Sequence, residues 1–367
     1  MNMHAKVQKE NPTLNRKIKC IDVFAGAGGF SKAALDSGQK VIMAVEFDNH
    51  AAETYKSNLI NGPKSIELYK EDITTLCPKK LYEKHFPEED CDLLLGGPPC
   101  QGFSSHRIKD SGVDDPRNQL ILKYFEFVKA FQPKAFLLEN VPGMLWPRHK
   151  NYVDSFYAQA ADAGYNVFKP VIMDARDYGL PQRRKRVFIL GVRPDIDTTS
   201  FEWPITPTHG SEVARRKNST LKEWVDCSAA FKKVASGDIN DLHMNHTQAI
   251  IEVFKKTPPN GGSRTDSGRV LPCHKNYPGH KDVYGRIDSK QPAPTMTASC
   301  TNPSKGRFVH PTKHHGITVR QAARIQTFPD DYVFHGGLTA AGKQIGNAVP
   351  VELGKILIKH IAELIKK

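Results

Sequence analysis

Long apolar stretches are missing from this sequence of 367 residues. No run approaches the roughly 20 apolar residues that a transmembrane helix needs, and residues 1–19 are polar and basic without an apolar centre. We therefore expect neither a membrane span nor a signal peptide. Internal repeats and low-complexity segments are missing as well, so a repeat architecture is not expected.

Paired cysteines are also missing. The seven cysteines are odd in number and widely scattered, and none forms a Cys-x-x-Cys pair. This distribution indicates a reduced, intracellular setting. The histidine pairs His274 and His280, and His314 and His315, have no cysteine or carboxylate partner at zinc spacing, so no metal site is predicted.

Acidic residues are too few to balance the basic ones. The chain has 52 Lys and Arg against 39 Asp and Glu, a net charge of +13, and residues 203–313 contribute 17 basic against 9 acidic residues. An uneven basic excess favours a polyanionic partner. From charge alone, a solvated basic face without a partner is an equally good interpretation.

A glycine-rich turn follows the first predicted strand. Residues 19–24 are predicted to form a short, mostly apolar strand, glycines stand at Gly26, Gly28 and Gly29, and a helical stretch follows. A second strand ends at Glu46, about twenty residues further on, where an acid can accept both hydroxyls of a ribose. This layout is typical of nucleoside-binding sheets, although a tight strand-helix corner alone would also explain the glycines.

The G-x-G-x-x-G spacing that seats a pyrophosphate is absent from this turn. We therefore expect an adenosine cofactor with a short amino-acid tail, and S-adenosylmethionine fits best. Asp72 follows the third predicted strand and is a candidate for the adenine amino group. The alternative is that Asp72 only starts the next turn.

Strands and helices alternate along the first half. Further strands are predicted at 66–69, 92–95 and 135–138, with a helix at 118–131. This alternation predicts an α/β fold with a doubly wound, mostly parallel sheet, whose strand ends line one crevice. Cys100 and Glu139 each follow such a strand end, and together they supply a nucleophile and an acid. Taken alone, Cys100 is better explained as a buried structural cysteine in a strand-to-loop turn, since most free cysteines are packing residues.

With these residues in place, the chain resembles the cytosine DNA methyltransferases that act at ring carbon 5. The matching blocks appear in the family's order and lie at residues 24–30, 97–104, 139–141, 182–186 and 342–350. The resemblance implies a Rossmann-like, S-adenosylmethionine-dependent methyltransferase domain and a second, smaller, loop-rich target-recognition domain. We expect the catalytic domain to comprise residues 1–198 and 337–367, and the recognition domain with its hinge to comprise residues 199–336.

The resemblance also implies a covalent mechanism. The Cys100 thiolate would add to carbon 6 of a cytosine flipped out of the duplex, and Glu139 would hold the ring's third nitrogen and its amino group. Arg184 and Arg186 lie two apart in a predicted strand, so they share a face and are expected to point into the crevice, with Arg183 and Lys185 outward. The alternative for these arginines is an exposed basic strand end.

Three groups of site residues are predicted. The catalytic group is Cys100, Glu139, Arg184, Arg186 and Pro99. The cofactor-binding group is Phe24, Gly26, Gly28, Gly29, Glu46, Phe47, Asp72, Ile73, Pro98 and Asn347. The DNA-binding group is Gln101, Ser104, Arg184, Arg264, Arg269, Arg286 and Thr295, with His274 and Lys275 as further candidates.

The remaining stretches complete the expected layout. Residues 105–115 are expected to form a mobile loop that closes over DNA, or else an ordinary surface loop. A capping-box pattern at Thr318 predicts a helix on which Arg320 and Arg324 share a face, for structural pairing or for phosphate contact. Residues 344–347 are predicted to form a turn, and residues 351–365 an amphipathic helix that docks on the first domain.

We expect a cytoplasmic, nucleoid-associated prokaryotic enzyme that acts as a monomer on double-stranded DNA, with a cognate restriction endonuclease as a separate partner. Within the same chemistry, the rival is a tRNA-methylating enzyme. From other classes, the rivals are a catalytically silent DNA-binding regulator and a nicotinamide-dependent oxidoreductase, and the glycine spacing disfavours the latter.

Overall fold

The computed structural model describes residues 16–60, 62, 66–99, 120–268 and 282–366. Several predicted features therefore lie outside the described residues. They are Cys100, Gln101, Ser104, the predicted loop 105–115, Arg269, His274, Lys275 and His280.

An eight-stranded sheet forms the centre of the first half. Its strands are β1 (Lys19–Val23), β2 (Lys40–Val45), β3 (Glu67–Tyr69), β4 (Leu93–Gly96), β5 (Ala135–Asn140), β6 (Asn166–Val167), β7 (Val171–Asp174) and β8 (Lys185–Val192). Their order is β3-β2-β1-β4-β5-β8-β6, with β7 paired to β8. Strands β1 to β5 are all parallel, which confirms the predicted mostly parallel α/β sheet.

Helices cover both faces of the sheet, and further helices occur in the second half of the chain. They are α1 (Gly29–Asp36), α2 (Asn49–Leu59), α3 (Pro78–His85), α4 (Leu120–Phe131), α5 (Lys150–Asp162), α6 (Glu212–Lys217), α7 (Gln248–Lys256), α8 (Val319–Ile325), α9 (Gly337–Asn347) and α10 (Val351–Ile365). Within the described part of the chain, no helix is long and apolar enough to cross a membrane.

Strand β8 runs against the direction of β5. Its first residues therefore lie beside the last residues of β5, with Val187 opposite Asn140 and Phe188 opposite Glu139. This pairing brings the basic segment before Val187 to the edge where the parallel strands end. The antiparallel strand thus adds Arg186 to the crevice that the parallel strands form.

In the described part of residues 199–336 the regular elements are short, as the proline and glycine content of this range predicts. Two two-residue strands, β9 (His209–Gly210) and β10 (Lys222–Glu223), form a small separate sheet. The C-terminal helix α10 then packs on α1, as its apolar face predicts, and Ala33 of α1 lies against Gly354 of α10. The two halves share one hydrophobic cluster that includes Phe30, Phe328 and Leu357.

The segment 344–347 is not the turn that its sequence suggested. Gln344 to Asn347 form the last turn of α9, and the chain leaves the helix only at Ala348. The glycine within it, Gly346, is required by close packing, since a Cβ there would lie 2.1 Å from the carbonyl carbon of Thr297.

Helix α8 begins with the predicted capping box, in which Thr318 and Gln321 bond each other's backbone amides. Its two arginines serve structural roles. The Arg320 side chain is 1% exposed and bonds the Asp238 carboxylate at 2.5 Å and the Tyr332 carbonyl at 3.0 Å. Arg324 pairs with Asp330 at 2.7 Å near the surface. For both arginines the structure therefore supports structural pairing, the alternative to phosphate contact.

We expect replacement of Arg320 by Met to cost about 3 to 5 kcal/mol of unfolding free energy, because it leaves the Asp238 carboxylate and buried carbonyls without their donor. The matched variant Arg324→Met should cost clearly less, because its partner Asp330 remains in water. Urea denaturation of both variants measures the difference, and equal losses would contradict the assignment.

Candidate active site

A cavity of about 500 Å³ opens at the edge of the sheet where the parallel strands end. Twelve of the predicted catalytic and cofactor-binding residues line it. They are Phe24, Gly26, Gly29, Glu46, Phe47, Asp72, Ile73, Pro98, Pro99, Glu139, Arg186 and Asn347. Residues distant in sequence therefore meet around one space, and the opposite wall comes from the end of α9 and residues 348–349.

The glycine turn between β1 and α1 forms the floor of the cavity. Gly26 has φ 57°, and a Cβ there would meet no atom within 4 Å, which leaves the backbone accessible. Gly28 serves a different purpose from the predicted one, because it does not line the cavity. Its φ is 89°, and a Cβ there would lie 2.5 Å from Leu59, so we correct its role from cofactor contact to tight packing.

Glu46 forms part of the cavity wall at the end of β2. Its carboxylate accepts hydrogen bonds from the backbone N–H groups of Gly26 at 2.7 Å and Asp48 at 2.6 Å. Burial raises the pKa of Glu46, although these two amides act in the opposite direction. Each carboxylate oxygen can accept a second hydrogen bond, so the amides orient Glu46 without exhausting its capacity.

Asp22 lines the cavity but is not among the predicted site residues. It lies in β1, is 1% exposed, and accepts hydrogen bonds from the N–H and the hydroxyl of Ser31 at 3.0 and 2.7 Å. Burial raises the pKa of its carboxyl to about 7, against the effect of the Ser31 bonds. An acid inside an otherwise apolar strand was the signal in the sequence.

Asp22→Asn tests this buried acid. Because the folded pKa lies above the ordinary value of 3.8, the folded protein holds the proton more tightly, so wild-type stability falls as pH rises from about 4 to about 7. The asparagine variant lacks this titration. The stability difference should change by up to about 1.4 kcal/mol per pH unit within that window and stay flat above it. Urea denaturation of both proteins from pH 5 to 8 measures this stability difference. A difference that does not change with pH would contradict the raised pKa of Asp22.

The ends of β4 and β5 bring the predicted catalytic residues together. Arg186 Nε lies 2.9 Å from Glu139 Oε1, and both side chains are largely buried. A Cβ on Gly97 would lie 3.1 Å from Glu139 Oε2, and Asn140 Nδ2 donates to the Pro98 carbonyl at 3.3 Å. The backbone that leads to residue 100 is therefore held directly beside the Glu139 carboxylate.

The rim of the cavity carries an aromatic ring and further polar groups. Phe47 is 71% exposed although it lines the cavity, which is unusual for a large apolar side chain. Asp72 accepts from the N–H and hydroxyl of Thr74, and these bonds hold the pKa of Asp72 below its ordinary value. Lys343 belongs to the family block 342–350 but was not predicted as a site residue, and it reaches the rim from α9.

Arg184 does not point into the cavity, and this corrects the prediction for it. The predicted inward and outward alternation of these side chains is correct, because Arg184 and Arg186 are less exposed than Arg183 and Lys185. However, Arg184 is 1% exposed and donates to the carbonyls of Met296, Gly346 and Ala348 at 2.8 to 2.9 Å. Its guanidinium joins the start of β8 to the C-terminal segment, and it is not placed to touch DNA or substrate.

Two predicted DNA contacts are also buried. Arg286 is 1% exposed and donates to the carbonyls of Thr257 and His310 at 3.0 and 2.7 Å, so we correct its role to that of a structural brace. Arg264 is 4% exposed and is likewise not placed to contact a duplex. Thr295 is partly exposed, and its hydroxyl donates to the Arg183 carbonyl at 2.6 Å.

Replacement of Arg184 by Met should destabilise the fold by at least about 3 kcal/mol, because three buried carbonyls lose a charged donor. Arg183→Met is the matched control, since its side chain is exposed and only its backbone is bonded. Urea denaturation checks both variants. A stable Arg184→Met protein would show that the guanidinium is not the brace inferred here.

No three histidine, cysteine or acidic side chains stand close enough to hold a metal ion in the described ranges. The polar groups around the cavity are carboxylates, an arginine, a lysine, amides and backbone groups. This set suits an organic ligand with hydroxyl, amino and charged groups.

Sequence comparison gives a match over nearly the whole chain. The family profile described as C-5 cytosine-specific DNA methylase matches residues 18–363. The Type II methyltransferase M.NgoPII of Neisseria gonorrhoeae is 33% identical, with 98% of this chain and 99% of that protein covered. The Type II methyltransferase M.DdeI of Desulfomicrobium norvegicum is 32% identical, with coverages of 94% and 88%.

Structure comparison agrees. An Escherichia coli prophage protein described as a DNA modification methyltransferase superposes with a TM-score of 0.67 at 25% identity, covering 96% of this chain and 100% of that one. The Entamoeba histolytica methyltransferase EhMeth superposes with a TM-score of 0.62 at 16% identity, covering 95% and 99% of the two chains, and so shares the fold.

Proposed function

The chain belongs to the family of C-5 cytosine-specific DNA methylases, and from this premise we propose that it methylates a flipped cytosine in a short duplex sequence through a covalent Cys100 adduct. It is a DNA cytosine-5 methyltransferase, like the Type II enzymes that it resembles. The observation that carries the proposal is the buried Glu139–Arg186 pair beside Pro98 and Pro99, which directly precede Cys100.

The cavity fits S-adenosylmethionine as the methyl donor. Its volume of about 500 Å³ lies within the usual range for small-molecule sites. Glu46 offers carboxylate acceptors for ribose hydroxyls, Asp72 an acceptor for the adenine amino group, and Phe47 an apolar surface for the adenine ring. The accessible backbone at Gly26 and the start of α1 would receive the amino-acid tail. When bound, this cofactor supplies a methyl group attached to a positively charged sulfur.

Carbon 5 of cytosine is a weak nucleophile, and Cys100 would activate it. The Cys100 thiolate adds its electron pair to carbon 6, and the displaced ring electrons make carbon 5 nucleophilic enough to take the methyl group. A base then removes the proton from carbon 5, and the Sγ–carbon 6 bond breaks, which restores both the aromatic ring and the thiolate. The thiol's ordinary pKa of about 8.5 means that local positive charge must favour the thiolate.

Glu139 would balance the charge that this addition places on the ring. Its carboxyl group shares a proton with the third ring nitrogen and accepts a hydrogen bond from the amino group. Arg186 holds one carboxylate oxygen at 2.9 Å, so the carboxyl group has a defined orientation before the substrate arrives. Arg186 Nη1 donates to the Lys185 carbonyl at 2.8 Å, and Nη2 would donate to the pyrimidine carbonyl.

A cytosine stacked in a duplex cannot reach this crevice, so the base must leave the stack, which costs a few kcal/mol. We assign DNA recognition to residues 199–336, without Arg264 and Arg286, whose side chains are buried. Thr295 and Arg269 remain candidates for backbone or base contacts. A short recognised sequence and the Type II relatives together favour a role in protecting host DNA beside a cognate restriction endonuclease.

The test combines methyl transfer with covalent trapping. The purified protein should transfer labelled methyl from S-adenosylmethionine to duplex DNA as 5-methylcytosine, and bisulfite sequencing should locate the target. Cys100→Ala should abolish transfer, and Glu139→Gln should lower kcat about 100-fold to 10,000-fold because proton sharing is lost. Cys77→Ala is the control, since Cys77 is an exposed cysteine that does not line the cavity.

Duplex DNA that contains 5-fluorocytosine at the target should trap wild-type protein as a denaturant-stable complex in the presence of cofactor, because no proton can leave carbon 5. Cys100→Ala should not form this complex. Activity without trapping would contradict the covalent step, and transfer to tRNA but not to DNA would favour the tRNA-methylating alternative.

A further inference from the structure

Helix α9 makes a charged contact with the segment that follows β2, at the cavity lining. Lys343 Nζ lies 2.8 Å from Asp48 Oδ2, and both residues line the cavity. These residues are 295 positions apart, so the contact joins the two chain segments that form opposite walls. We propose that Lys343 is a positioning residue that sets the affinity for the adenosyl cofactor through Asp48 and Glu46.

Asp48 connects three parts of the site. Its Oδ1 accepts from the N–H groups of His50 at 3.0 Å and Ala51 at 3.1 Å, which caps helix α2. Its Oδ2 bonds Lys343, and its own N–H donates to Glu46 Oε1 at 2.6 Å. Movement of Asp48 therefore moves both the start of α2 and one of the two amides that orient Glu46.

The network continues to the cavity floor. Glu46 Oε2 accepts from the Gly26 N–H at 2.7 Å, so an unbroken series of contacts runs from α9 through Asp48 and Glu46 to the glycine turn. Glu46 is the residue to which we assign the ribose hydroxyls. A ligand that needs Glu46 in one orientation binds more tightly when that orientation exists beforehand. The lysine thus contributes to binding by holding its partner in place.

Charge and burial agree with this role. Although partial burial alone would raise the pKa of Asp48, bonds from Lys343 and from the amides of α2 hold it below its ordinary value. The ionised carboxylate is therefore the form present around neutral pH. The Lys343 side chain is 53% exposed and that of Asp48 is 32% exposed, so the pair lies at the rim, where it can also be screened by salt.

The competing explanation is a surface ion pair that stabilises the fold slightly and does nothing for the ligand. The two explanations differ in what Lys343→Met changes. A surface pair would lower the melting temperature a little and leave affinity intact. A positioning residue weakens cofactor binding in a protein that remains folded. The inference rests on the proposed cofactor site, so wild-type binding is measured first.

Isothermal titration with S-adenosylhomocysteine measures affinity without turnover. Wild-type protein should bind, Lys343→Met should bind about tenfold more weakly, and Lys343→Arg should recover most of the affinity because it restores the charge. Lys355→Met is the matched control, because Lys355 pairs with Glu352 on α10, outside the cavity lining. In steady-state assays of Lys343→Met, KM for the cofactor should rise more than kcat falls.

Asp48→Asn identifies the route of the effect. It keeps the N–H that bonds Glu46 but removes the charge that holds Lys343, so it should weaken binding to a similar extent. The double variant should lose no more affinity for S-adenosylhomocysteine than the more impaired of the two single variants, because both changes break the same contact. If Asp48→Asn retained full affinity while Lys343→Met lost it, Lys343 would act directly on the ligand and the positioning role would be overturned.

Two further outcomes would also overturn the inference. Equal affinity of wild type and Lys343→Met would assign the ion pair to the surface alone. Equal losses in Lys343→Met and Lys343→Arg would assign the effect to helix packing. If the wild-type protein did not bind S-adenosylhomocysteine, the proposed cofactor site itself would be refuted, and the inference with it. The wild-type measurement alone distinguishes this outcome from the other two.

Discussion

The cavity depends on one buried guanidinium. Arg184 donates to carbonyls at Met296, Gly346 and Ala348, which belong to a loop and to the end of α9. These carbonyls need donors because water does not reach them, and only a long side chain with several N–H groups can serve all three. Arg184 thereby fixes the segment that completes the far wall to the start of β8, and the Gln182–Gln326 hydrogen bond supports the same connection. The pairing of β8 with β5 places Arg186 beside Glu139.

Much of the site follows from the residues because parallel strands end at a common edge. Glu46 and Glu139 follow apolar runs, so their convergence could be predicted without a structure, and family blocks added Pro98 and Asn347 to the same cavity. The helix at 351–365 was predictable to the residue, since its apolar positions recur at helical spacing. Local periodicity is carried by the sequence itself, and it needs no knowledge of distant partners.

The arginines show where such reasoning stops. Strand alternation correctly separated Arg184 and Arg186 from Arg183 and Lys185, but it could not tell a buried carbonyl from a phosphate as the acceptor. The same ambiguity affected Arg286, whose donors meet backbone carbonyls at Thr257 and His310. The five donors of a guanidinium suit both acceptors equally well. Which acceptor is present depends on contacts between distant segments, and neither charge nor spacing records those contacts.

Most of the cavity lining comes from residues 22–186 and the rest from residues 343–349, and this separation matters while the protein is being made. A growing chain that has emerged only through β8 has completed its central sheet but lacks the wall that closes the site. Such a chain cannot form the complete cavity, since residues 343–349 have not yet been made. The sheet must therefore acquire its order from its own packing, and the cavity is completed only after α9 has been made and has packed against the sheet.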